Sequence, residues 1–101
     1  MKKYVKLPIE TDAVQLSIEN IYEVRKWANS IQPKDKQIGL YFTDEPDDTE
    51  NWMIKGLIIP TKEGNMICSI GDFLIKEPFP TDDRMFYPCK PDMFDLTYRE
   101  K

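Results

Sequence analysis

The last third of the chain, Ile67 to Tyr98, limits the fold more tightly than any other stretch. A Gly71-Asp72 turn links two short apolar runs there, and a polar connection broken by Pro78 and Pro80 follows. Then comes a dense phrase, Met85-Phe86-Tyr87-Pro88-Cys89-Lys90-Pro91-Asp92-Met93-Phe94. Runs of this length between Gly and Pro punctuation read as short strands joined by turns. The aromatic residues crowded around Pro88 and Pro91 are more than a surface loop requires, so they belong to a core or a binding face.

The chain before this segment supplies what such strands pack against. Tyr4 to Leu16 favours extended structure, with short strand pieces at Ile9 and at Ala13-Val14-Gln15-Leu16 around a polar kink at Glu10-Thr11-Asp12. Ser17 fits a helix N-cap, and Ile21, Val24, Ala28 and Ile31 recur at helical spacing, with Tyr22 and Trp27 at the edges of that face. Pro33 prevents continuation. The pattern predicts one amphipathic helix over about residues 18–30. Ile38 to Thr43 and Trp52 to Thr61 read as strands, the second interrupted by Gly56. Lys62-Glu63-Gly64-Asn65 reads as a hairpin turn leading to a return strand at Met66 to Ile70. Phe73 to Lys76 and Met85 to Cys89 are the last strands, and Pro91 suits the first position of a short helical turn ending near Thr97. The expected fold is α+β: a single small domain over residues 1–101, with a bent, mostly antiparallel, meander- or barrel-like sheet, the amphipathic helix, and a C-terminal helical turn.

With 101 residues the chain can bury one modest core, and no apolar run reaches the length of a bilayer span. No signal-peptide core follows Lys2-Lys3, so the cytosol is the expected compartment and no membrane partner is expected. A net charge of −4 argues against a nucleic-acid binder that works by neutralising phosphates. Two cysteines and no histidine leave no ordinary structural zinc set, so no metal and no cofactor are expected, and Cys68 and Cys89 read as buried free thiols.

Several phrases invite more specific chemistry. Cys89 beside Lys90, at the start of a helix, suggests an activated thiolate, but no histidine can act as its base, and simple strand alternation explains the residue as well. No catalytic constellation is expected. Asp44 to Glu50 holds five acids in seven residues. It lacks the ordered ligands and glycine of a calcium loop, which leaves a solvated loop or a protein-docking epitope presenting Asp47, Asp48 and Glu50. The rings of Tyr41, Phe42, Trp52, Phe73, Phe79, Phe86, Tyr87, Phe94 and Tyr98 can form the core. Alternatively, the polar-tipped Tyr87 and Tyr98 line a groove with Asp92, where Lys76 and Lys90 reach the phosphates of a stacked nucleotide.

Leu7-Pro8-Ile9-Glu10 and Ala13-Val14-Gln15 resemble the opening of a family of small phage and prophage proteins of unknown function. The ending resembles it more closely, through Glu63-Gly64-Asn65, Gly71-Asp72-Phe73-Leu74-Ile75-Lys76, Phe86-Tyr87-Pro88-Cys89-Lys90-Pro91-Asp92-Met93-Phe94 and Thr97-Tyr98. Ile70 departs from the proline usual in that family, and Glu77 to Arg84 is longer than its usual hairpin. The resemblance implies a phage or prophage accessory protein and lends no biochemical activity. The leading expectation is therefore a non-enzymatic protein that binds a host or phage protein through the acidic loop and the 77–84 insertion. The alternative is a small-ligand, nucleotide-type binding or sequestering protein, and an enzyme ranks third. Free strand edges also allow a homodimer.

Overall fold

A computed structural model describes residues 1–5, 7–42, 53–81 and 84–100, with the side chains of Thr81 and Arg84 left aside. Six strands and two helices follow in the order β1 (Ala13–Gln15), α1 (Ile21–Asn29), β2 (Gly39–Phe42), β3 (Ile54–Thr61), β4 (Gly64–Ser69), β5 (Phe73–Thr81), β6 (Arg84–Cys89) and α2 (Pro91–Thr97), with one 3-10 turn at Lys34–Lys36 before β2. All strand pairs are antiparallel, but they divide between two three-stranded sheets, β1-β5-β6 and β2-β3-β4. The architecture is α+β, and among the described residues the strands do not close into a barrel.

The two sheets and α1 share one core. Ile21, Val24 and Ala28 bury the predicted face of α1, meeting Leu57, Ile59 and Cys68 from one sheet and Leu74 and Phe86 from the other. Trp27, at the edge of that face, meets the Phe86 ring edge-on at 5.2 Å. Gly56 marks a close approach of β3 to its neighbour β4 within one sheet: a Cβ there would lie 2.1 Å from the Cys68 carbonyl oxygen. Between Tyr41 and Phe42 the β2–β3 register slips beside that glycine, as the Gly-interrupted strand suggested.

Three local expectations are corrected. The helix starts at Ile21, not Ile18, because Ser17 closes the turn before it: its N–H donates to Asn20 Oδ1 (2.8 Å), and its hydroxyl oxygen accepts the Asn20 N–H (3.2 Å). Ile18 is consequently exposed. No strand forms at Ile9. The β1–β5 register pairs Ala13 with Ile75, and extending it would set Glu10 against Pro78 and Pro8 against Pro80. In an antiparallel ladder those are hydrogen-bonded positions, and proline has no N–H to give. Finally, most of the polar connection after Lys76 is strand. β5 runs on to Thr81, and β6 begins at Arg84, so the insertion lengthens a hairpin instead of forming a loop. The acidic segment 44–50 lies outside the described residues.

Candidate functional site

The β4–β5 turn anchors the region that the sequence singles out. Gly71 takes φ +98°, and the Asp72 N–H donates back to the Ser69 carbonyl (2.9 Å), the geometry of a turn that needs positive φ at its third residue. Asp72 is almost fully buried, and its side chain accepts the Ser69 N–H (3.0 Å). Its main-chain carbonyl accepts the Leu16 N–H (2.8 Å), and the Gly71 N–H donates to the Leu16 carbonyl (2.8 Å), so one turn also ties down the end of β1. The β5–β6 register pairs Phe73 with Cys89 and thereby brings Lys90 beside Asp72. Lys90 Nζ lies 3.1 and 3.3 Å from the two carboxylate oxygens.

Alternation along β5 and β6 separates two faces. Leu74 and Phe86 point into the shared core, and Lys76, paired with Phe86, is half-buried on the same side of the sheet. Phe73, Ile75, Tyr87 and Cys89 point the other way, where Phe94 of α2 meets Phe73 and Tyr98, just after α2, meets Tyr87. The Phe73 and Phe94 rings stack in parallel at 3.7 Å, and Phe94 stacks on Tyr98 at 4.9 Å. The Tyr87 and Tyr98 hydroxyls hydrogen-bond each other. Ile75, on the same side of the sheet, is completely buried although it is not part of the main core cluster. Pro91 sits at the start of α2 as expected, and the backbone of Lys90, in extended conformation, precedes it.

The sequence candidates therefore divide. Tyr87 and Tyr98 meet, and Lys90 flanks them at the end of the same strand, committed to Asp72. Asp92 is exposed in the first turn of α2 and accepts the Met93 N–H (2.9 Å). Lys76 belongs to the opposite face of the sheet, and its backbone N–H serves β1 through the Asp12 carbonyl (2.9 Å). Asp47, Asp48 and Glu50 lie outside the described residues. In the sequence Asp72 reads only as a turn residue. The available signal was register: once Phe73 pairs with Cys89, Asp72 must face Lys90.

The electrostatics of the two thiols follow from these positions. Burial pushes the Cys68 thiol up to about 12, with the Asp72 carboxylate adding to the shift and Lys90 opposing it. Cys89, half-buried with its thiol directed at the Lys90 carbonyl (3.6 Å), is also pushed up, by burial first and then by Asp92 and Asp72. Both shifts favour the protonated thiol, through burial first and the neighbouring carboxylates second. The stacked rings leave no gap for a nucleobase between them. What this arrangement does is fasten α2 and the β4–β5 turn to the β5–β6 hairpin.

Beyond that fastening, the hairpin carries the feature of most functional interest. β1 covers β5 only from Phe73 to Ile75, so residues 77–81 extend past it. There Phe79 is 68% exposed, held between Pro78 and Pro80. No described helix is long and apolar enough to cross a membrane. In comparisons with known proteins, no family model, curated protein or solved structure matches the chain.

Proposed function

We propose that this chain is a non-enzymatic accessory protein of phage or prophage lineage, acting in the bacterial cytosol by docking on a host or phage protein through the β5–β6 hairpin. The observation that carries this reading is Phe79, an exposed aromatic presented by strand residues that reach past the sheet. Binding energy at protein interfaces concentrates in a few such anchors, which fill pockets on the partner. The flanking prolines fix the backbone before binding and so lower the entropy cost of ordering the segment. They also remove two ladder donors, which discourages unspecific strand pairing along this edge. Recognition then rests on side chains.

Affinity capture tests the reading. The wild-type chain should retain one partner from host or phage-infected cells, and Phe79→Asp should lose it while keeping the wild-type unfolding temperature. Reversing charge at Asp47, Asp48 and Glu50 asks whether the acidic segment is a second epitope. Capture that survives Phe79→Asp contradicts the hairpin reading. The nucleotide-binding alternative makes a different prediction, an unfolding temperature raised by several degrees with some member of a nucleotide panel.

A further inference from the structure

Beside β1 lies an open groove of about 490 Å³, and the first residues of the chain are suited to fill it. Its floor is Val14, Val24 and Trp27, and the charged side chains among its described lining residues are Asp12 and Glu23. One wall is a sheet edge, because among the described residues β1 pairs only with β5. Asp12 and Leu16 direct their backbone bonds toward β5, so alternation turns the backbone of Ala13 and Gln15 outward. Asn20 takes the Gln15 carbonyl (2.9 Å), which leaves the Ala13 N–H and C=O facing the groove edge.

The N-terminal arm has the complementary chemistry. Tyr4 and Val5 are 87% and 89% exposed, and Leu7 is 74% exposed, in a segment of extended propensity that follows Lys2 and Lys3. The arm cannot lengthen β1, because the prolines at positions 8, 78 and 80 block the continuing register. Nor does it fold back on its own groove. Thr11 donates its hydroxyl to the Lys76 carbonyl and the Asp12 carbonyl accepts the Lys76 N–H, which holds the chain straight along β5 where a reversal would have to begin.

We propose that the arm of one copy lies in the β1–α1 groove of a second copy, the two arms being exchanged about a two-fold axis. The arm adds a short strand at Ala13, places apolar side chains over Val14, Val24 and Trp27, and sets Lys2 and Lys3 against Asp12 and Glu23. Because each copy gives its arm to the other's groove about the two-fold axis, both arm–groove contacts are used within the pair and the exchange closes as a dimer. Edge addition of this type gains affinity from main-chain bonds and specificity from side-chain pockets.

Sedimentation of the full chain over about a hundredfold range of concentration tests this, since a dimer held by the arms dissociates by mass action. The wild type should dimerise. Lys2→Glu with Lys3→Glu, and separately Asp12→Lys with Glu23→Lys, should each weaken the dimer by about tenfold or more. All four side chains are exposed, so the variants should keep the wild-type circular dichroism. Mixing the two variants restores opposite charges at both arms, and the mixture should dimerise again. A wild type that stays monomeric overturns the proposal, even if its groove accepts some other basic peptide. So does a dimer indifferent to both reversals, or a mixture that fails to recover.

Discussion

Asp72 shows how much one side chain can organise in a chain of this size. It closes the β4–β5 turn, holds Ser69 and meets Lys90, all from a nearly buried position, while Lys90 is 66% exposed at its side chain. Water screens the lysine's half of the pair, so the ion pair itself contributes little, and the larger effect is the hydrogen bond inside the turn. Asp72→Ala should cost about 1–3 kcal/mol in urea unfolding, because it leaves the Ser69 N–H without its side-chain acceptor. Lys90→Met should cost less than about 1 kcal/mol. An equal loss in both variants would show that the ion pair dominates. Cys68 sets a second, pH-dependent effect. Its thiol ionises at about 12 when folded against 9.0 for the free group, so between those values the unfolded chain binds fewer protons than the folded one. Stability should therefore fall as pH rises from about 9 toward 12. Cys68→Ala should flatten that slope relative to wild type, and an unchanged slope would place its origin elsewhere.

At the scale of elements, α1, β3, β4 and α2 were legible from residue patterns because each is decided locally. The spacing of Ile21, Val24 and Ala28 marks a helix face, Gly64 takes the positive φ (+119°) of the hairpin turn, and Pro91 opens α2. What was not legible depends on partners distant in sequence. The end of β1 is determined by Pro78 and Pro80, more than sixty residues away, and nothing near Ile9 announces it. The extension of β5 through two prolines runs against local rules, and it is explained by pairing with β6 and by its position beyond β1. The Lys90–Asp72 contact is likewise a consequence of register. Gly56 is an intermediate case: its place in a strand signalled a local irregularity, and the structure adds the reason, the Cys68 carbonyl pressed against its Cα. Gly56→Ala should force β3 and β4 apart and cost at least about 1–3 kcal/mol, measured by chemical denaturation. A loss below a few tenths would mean that the sheet relaxes freely around this point.

For the whole molecule, one core joining both sheets to α1 provides a rigid body from which two surface features project: the Phe79 hairpin and the N-terminal arm. Neither contributes to that core, which makes them free to serve recognition without a stability penalty. The aromatic layer under α2, for which the sequence allowed a ligand groove, is instead packed against itself. The exposed surface of this hairpin lies at its far end, around Phe79, and not at the Tyr87–Tyr98 layer. The most direct test is site-specific photo-crosslinking with p-benzoylphenylalanine in host cells. A probe at position 79 should give one discrete crosslinked partner, which the same probe at exposed Glu63, on the other hairpin, does not give. Equal crosslinking from both positions, or none from position 79, would contradict it.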